Sequence, residues 1–151
     1  MADRQAGRHS DRVKVWLYYI GKPRDAHANA MADGFVSRAA KFSACEMREI
    51  RPERADLWSK HASARKILLD PSGEEMDSRA FTQLFARAEM EGRDLVFAIG
   101  GADGLPAGWR EKADLLLSLS RMTWPHELAR AMLAEQIYRA FATLRGHPYP
   151  R

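Results

Sequence analysis

The sequence predicts an α/β fold, a parallel sheet covered by helices on both faces. Three observations predict it. Strand-like and helix-like segments alternate along the 151 residues in the order βαβαβαβαβα, the pattern of consecutive crossover units. The central strand candidates, "ILL" at 67–69 and "LVFAI" at 95–99, are continuously apolar, as strands covered on both faces require. Several segments between them carry apolar residues at helical spacing.

Taken in order, Val13 to Ile20, "VKVWLYYI", is β-branched and aromatic and closes at Gly21 and Pro23, so it reads as a buried strand. Asp25 to Lys41 reads as a helix and Cys45 to Ile50 as a strand. Residues 51–66, "RPERADLWSKHASARK", read as a further helix, and "ILLD" as a strand that stops at Pro71 and Gly73. From Ser78 to Gly92 the residues Phe81, Leu84, Phe85 and Ala88 repeat at helical period, with Ser78 as the N-cap and Gly92 just past the end. "DLVFAIGG" is the clearest strand. A short helix near Pro106 to Lys112 leads to the strand "LLLSLS", and the last helix runs from Pro125 to Leu144 with Leu133, Ile137, Ala140, Phe141 and Leu144 as its apolar stripe. Residues 1–12, "MADRQAGRHSDR", are polar and lack the apolar core of a signal peptide. They are expected to form a disordered extension, leaving 13–151 as one domain.

The net charge is +4, which alone says little about partners, but its distribution says more. Residues 1–66 carry 14 Lys/Arg against 8 Asp/Glu, residues 67–114 carry 5 against 10, and residues 115–151 carry 5 against 2. Two basic ends brought together would present one phosphate-attracting surface. The single cysteine, Cys45, excludes an intrachain disulfide framework and fits a reducing cytoplasm. It is read as a packing residue, with a catalytic thiol as the alternative. No stretch approaches the roughly 20 apolar residues of a membrane-spanning helix.

In an open α/β sheet the ligand crevice lies beyond the carboxyl ends of the strands. Three such ends are suggestive here: "LLDPSG", "AIGGADGL" and "LSLSRMTWPH". Gly100, Gly101 and Gly104 allow a sharp turn and a close backbone approach to a ligand, or serve the turn alone. The spacing is not G-x-G-x-x-G and no G-K-[ST] follows, which disfavours a dinucleotide site or a P-loop. His27, His61, His126 and His147 lack metal-ligand spacing, so no metal is expected. On the last helix Glu127, Ala131, Glu135 and Arg139 follow one another at i+4, and Glu135 before Arg139 is the favourable order for an ion pair. His126 precedes Arg130 by one turn. This face is either simply solvated or functional. In the tail "GHPYPR", His147, Tyr149 and Arg151 have no evident core to join and suit a phosphate or a stacked base.

The stretch from "LLDPSG" through "SRAF", "GRDLVFAIGGADGL", "LSLSRMTWPHELARAMLAEQIYRAF" and "GHPYPR" resembles the RlmH family, SPOUT-class methyltransferases of bacterial 23S ribosomal RNA. The amino-terminal "VKVWLYYIGKPRD" is compatible with it. The resemblance implies a parallel sheet with a carboxy-terminal trefoil knot, a homodimer in the cytoplasm, and S-adenosylmethionine bound by the knot loops. Carried onto this chain, the cofactor residues are Leu69, Gly100, Gly101, Leu119, Ser120, Arg121, Met122, Thr123 and Trp124. The implied reaction is methylation of N3 of a pseudouridine in 23S rRNA on the assembled ribosome. That chemistry needs alignment of donor and acceptor and removal of an imide proton. His126, Arg130, Glu135, Arg139, His147 and Tyr149 are the candidates for it, with Arg139 and Tyr149 positioning the base and His126 or His147 assisting the proton's departure. The family tail ends His-Pro-Tyr-His, where this chain has Pro150, and the segment before Ile67 is shorter than in the family. The alternative reading is therefore a ribosome- or RNA-binding SPOUT protein with weak or lost catalysis.

Overall fold

Strand-forming runs and amphipathic helices alternate in the computed structural model, which describes residues 13–149. The extension expected over 1–12 and the tail residues Pro150 and Arg151 lie outside the described residues. The strands are β1 (Val15–Ile20), β2 (Cys45–Ile50), β3 (Arg65–Glu75), β4 (Leu95–Ile99) and β5 (Leu115–Ser118). The helices are α1 (Ala26–Ala39), α2 (Leu57–Lys60), α3 (Ser78–Glu91), α4 (Trp109–Lys112) and α5 (His126–Leu144). All strand pairs are parallel, in the order β2-β1-β4-β3-β5.

Every residue of β4 is buried, because helices cover both faces of the sheet. Alternation along β1 assigns those faces. Val15, Leu17 and Tyr19 join the larger core with Phe81, Phe85, Ile137 and Phe141 under α1, α3 and α5. Trp16, Tyr18 and Ile20 turn to the other face, where the cover is only the four-residue helices α2 and α4. Each fully buried Leu, Ile or Phe contributes about 1.5–3 kcal/mol relative to exposure, so the larger core holds α5 firmly. The stripe expected on α5 is the buried one: Leu133, Ile137, Ala140 and Phe141 are each 0% exposed.

Four expectations need correction. The helix expected over 51–66 shrinks to α2, whose start Asp56 caps by accepting from the backbone N–H groups of Trp58 and Ser59, both at 3.1 Å. Leu57 is its one buried residue, too little apolar surface to hold a longer helix against the sheet. β3 does not stop at Pro71 but continues to Glu75, with a register shift against β5 between Leu69 and Glu74. A bulge is where a strand accommodates a residue without an N–H. The N-cap of α3 is Asp77, whose carboxylate accepts from Ala80 N at 2.8 Å, rather than Ser78. Finally, the tail does join a core. The chain reverses at Gly146 (φ 70°), and Tyr149 packs on the Tyr138 ring at 4.7 Å.

Candidate active site

The middle of β3 at Leu69, Asp70 and Pro71, the carboxyl end of β5 and the loop after β5 enclose a cleft of about 120 Å³. Its lining includes Leu69, Leu119, Ser120, Met122, Thr123 and Trp124, six of the nine residues expected to hold the cofactor. Local polar bonds shape the loop: Ser118 Oγ donates to the Ser120 carbonyl at 2.9 Å, and Met122 N donates to Ser120 Oγ at 3.0 Å. Met122 is 72% exposed and Trp124 36%, so large apolar side chains stand at the cleft rather than in the core. Arg121 lies outside the lining and faces Glu75 at 3.4 Å, an exposed pair that contributes little.

Gly100 and Gly101 also lie outside that lining. A Cβ at Gly100 would come within 2.4 Å of the Gly104 backbone, and one at Gly101 within 2.9 Å of the Ile20 carbonyl oxygen. Gly101 and Gly104 form an isolated bridge, and Gly104 has φ 78°. These glycines let the loop fold on itself and against the end of β1.

Asp70 lines the same cleft and is buried, with a side-chain exposure of 3%. It accepts from Arg110 Nε at 2.7 Å, from Ser72 N at 3.1 Å, and from the Ser72 hydroxyl. Burial alone would raise its pKa, but the bonds from Ser72 and Arg110 outweigh it and hold the carboxyl below the usual range. In the sequence Asp70 is only the last residue of an apolar run, and Arg110 stands 40 positions away. Nothing in the spacing joins them.

The six candidates for chemistry divide. Glu135, Arg139 and Tyr149 form one cluster: Arg139 Nη2 donates to Glu135 Oε2 at 2.6 Å and the Tyr149 hydroxyl donates to the same oxygen at 2.5 Å. Arg139 also lies 5.4 Å from the Tyr149 ring centroid. The Glu135 bond raises the Arg139 pKa, and burial followed by that same carboxylate raises Tyr149's, so both keep their protons. His147 adjoins the cluster, its Nδ1 accepting from Tyr149 N at 3.1 Å. His126 does not belong to it. It opens α5 nine residues before Glu135, a separation of about 14 Å at 1.5 Å per residue.

Arg130 does not belong to the cluster either. It is 1% exposed, its guanidinium lies 3.5 Å from the Tyr19 ring centroid, and it donates to Asn29 Oδ1. Burial lowers its pKa, and its Nε has no partner among the described residues. Asn29 in turn donates to Glu127 at 2.7 Å, and Glu127 also accepts from the backbone N–H groups of Arg24 (2.7 Å) and Asp25 (3.0 Å). Those two backbone bonds and then Asn29 hold Glu127 at about 2. A carboxyl depressed in the folded state stabilises it fully above the ordinary value of 4.5, and that contribution disappears as pH falls through the folded value. Glu127→Gln is therefore expected to melt below the wild type at neutral pH, with the difference closing between about pH 4.5 and about 2. Parallel melting curves across that range would refute the assignment.

A family model described as predicted SPOUT methyltransferase matches residues 13–150. A protein of Solibacter usitatus (strain Ellin6076), named Ribosomal RNA large subunit methyltransferase H, is 68% identical over 139 residues, which cover 92% of this chain and 100% of that protein. This chain belongs to the RlmH family of SPOUT methyltransferases. A more distant family member of the same name, from Rhizobium etli (strain CIAT 652), is 36% identical over 159 residues, covering 92% of this chain and 99% of its own. That alignment is longer than this chain's 151 residues, so the Rhizobium protein carries residues that are missing here, whereas the Solibacter protein shares the compact length. The fold is that of a solved structure titled probable methyltransferase from Bordetella pertussis Tohama I, with a TM-score of 0.56 at 14% identity, covering 91% of this chain and 99% of that one.

Proposed function

We propose that this RlmH-family protein transfers a methyl group from S-adenosylmethionine to N3 of a pseudouridine in 23S rRNA on the assembled ribosome, acting as a homodimer in the cytoplasm. The observation that carries this reading is the meeting of six expected cofactor residues in one cleft between the middle of β3 and the carboxyl end of β5. The rRNA substrate follows the name of the 68% identical relative.

The cleft fits the cofactor's purine. Leu69, Leu119, Met122 and Trp124 offer apolar contact, and Ser120 and the loop backbone offer polar partners. When bound, S-adenosylmethionine supplies an electrophilic methyl on a sulfonium, taken up in line by the attacking nitrogen. The chain's own residues have three tasks: to hold the nucleotide, to exclude water and to lead the imide proton away. Arg139 stays protonated and offers the N–H groups that Glu135 does not take to the carbonyl oxygens flanking N3, where negative charge develops, while Tyr149 spends its one O–H on Glu135 and offers its ring to the base. His147 has its Nδ1 engaged as an acceptor, which leaves His126, supplied by a second copy, to take the imide proton on a ring nitrogen and pass it to solvent as the methyl is transferred.

His126 and the cofactor cleft lie at the amino end of α5, and Arg139 and Tyr149 towards its carboxyl end. His126 and Arg139 are thirteen residues apart, about 20 Å along the helix, so one protomer does not bring both to one nucleotide. A second copy does. A groove of about 580 Å³ between α1, α3 and α5, lined by Met31, Phe35, Met76, Phe81, Leu119 and Met132, supports a partner there. The trefoil threading implied by the resemblance agrees with the loop after β5 passing beside Leu69 and Pro71.

Methyl transfer from labelled S-adenosylmethionine to ribosomes lacking the modification, beside free 23S rRNA, tests the reading. Label at N3 of one pseudouridine on ribosomes is expected. Cofactor binding without transfer would instead support the lapsed, RNA-binding alternative.

A further inference from the structure

The thinly covered face of the sheet carries a second basic and aromatic constellation, remote from α5. Three cations surround the Trp16 ring: Lys14 Nζ at 4.3 Å from its centroid, Lys60 Nζ at 5.8 Å and Arg48 Cζ at 5.9 Å. Tyr18 lies parallel to Trp16 at 5.9 Å and donates to or accepts from His61 Nε2 at 2.8 Å. Beside them is a cavity of about 310 Å³ with Tyr18, Ile50 and Leu57 as its apolar part and Arg51, Arg54 and Lys60 as its charged part.

The charges here are not matched. Glu46 is shared by Lys14 and Arg48, and Asp56 is committed to capping α2. Arg51, Arg54 and Lys60 are exposed and have no ion pair among the described residues, with Glu53 the remaining exposed acid on this segment. His61 senses the field: burial lowers its pKa first, and Lys60 and Lys66 lower it further. Cations around an aromatic floor are the combination that holds a phosphate and a stacked base together.

We infer that the Arg51, Arg54 and Lys60 cavity, with Trp16 beside it, is a second docking site for ribosomal RNA, taking a backbone phosphate and an unstacked base outside the methylated nucleotide. The inference rests on the rRNA reading above. Position favours it: Arg51 directly follows β2, so the cavity opens at the same carboxyl end of the sheet as the cofactor cleft. With β2 at one edge and β3 and β5 at the other, the two sites stand three to four strand spacings apart, about 14–19 Å. RNA crossing the ends of the strands reaches both. The short segment before β3 leaves this face covered by α2 alone on the β2 side, so the cations stay open to solvent.

The triple variant Arg51→Gln, Arg54→Gln, Lys60→Gln tests it on the full-length protein. The KM for ribosomal particles is expected to rise about tenfold with kcat and cofactor affinity unchanged, and the salt dependence of RNA binding to become shallower by about 2–3 in log–log slope. Wild-type KM and salt slope in the variant would overturn the site. So would a comparable KM rise in Arg79→Gln, Arg87→Gln on α3 at the other face, which would report net charge alone. Loss of binding to particles but not to deproteinised 23S rRNA would assign the face to a ribosomal protein and overturn the RNA site. A wild type that methylates no ribosomal substrate would instead sink the parent reading.

Discussion

Asp70→Asn is expected to weaken S-adenosylmethionine binding about tenfold to a hundredfold while the protein still unfolds cooperatively. The carboxylate sits 3% exposed at the bulge of β3 and ties it to α4 through Arg110. The same carboxylate gathers the Ser72 N–H and hydroxyl, so one group sets the wall of the cleft opposite the loop after β5. An asparagine amide keeps one acceptor oxygen and turns an N–H₂ group towards donors that previously met a second oxygen. A hydrogen bond to a charged group is worth about 1.5–3 kcal/mol, and a buried donor left unmade costs a similar amount, which converts to the expected loss. Arg110 is half exposed and finds water when released, so the global fold bears less of the cost than the cleft does. The sign of the pH effect follows from the depressed carboxyl: the tie is complete above the ordinary aspartate range and is lost as pH falls through the lower folded value. Calorimetric titration with S-adenosylhomocysteine reads this directly. Affinity equal to the wild type, with intact folding, would remove Asp70 from the architecture of the site.

The tie between Asp70 and Arg110 also marks where sequence reasoning stops. Elements whose identity rests on their own composition were legible: β4 because all five of its residues are apolar, α3 and α5 because their buried residues recur at helical period. The Glu135–Arg139 pair was legible for the same reason, being a local i+4 contact. What required tertiary information was not. β3 runs on past Pro71 because Glu74 and Glu75 find β5 as a partner, which no local rule against proline anticipates. The segment 51–66 has helix-forming residues but only Leu57 to bury within α2, and packing prevailed over propensity.

The candidate site was legible in two unequal parts. The loop from Leu119 to Trp124 came from the family resemblance; five of its six residues line one cleft with Leu69, a meeting that no spacing rule contains. Spacing put Arg130 one turn after His126 as though both faced a ligand, whereas Arg130 is turned onto Tyr19 and Asn29. An arginine on an apolar stripe is invisible as a core residue until the acceptor and the ring that receive it are known. Tyr149 met Glu135 only through the reversal at Gly146, a junction of tail and helix that helical periodicity does not contain.

Glu135→Ala is expected to lower kcat about a hundredfold with little change in cofactor affinity. Glu135 is the common acceptor of Arg139 and Tyr149, and its loss releases from their fixed positions the Arg139 donor and the Tyr149 ring that the proposed chemistry needs. Removing one preorganised donor from a developing oxyanion costs about 10²–10³ in kcat. Tyr149→Phe removes only the hydroxyl that helps hold Glu135 and leaves the Glu135–Arg139 pair, so a smaller loss, about tenfold, is expected because Arg139 still stabilises the charge. The two changes together should cost no more than Glu135→Ala alone, since the tyrosine is held in place through that glutamate. Additive losses would mean that Tyr149 acts independently of Glu135. The pH profile separates a positioning tyrosine from a packing residue: burial and the neighbouring carboxylate raise the Tyr149 phenol above its ordinary value of 10, so its bond to Glu135, and with it activity, should persist through that pH in the wild type. In Glu135→Ala the loss of the carboxylate brings the alkaline limb down, a shift that a purely structural tyrosine would not produce.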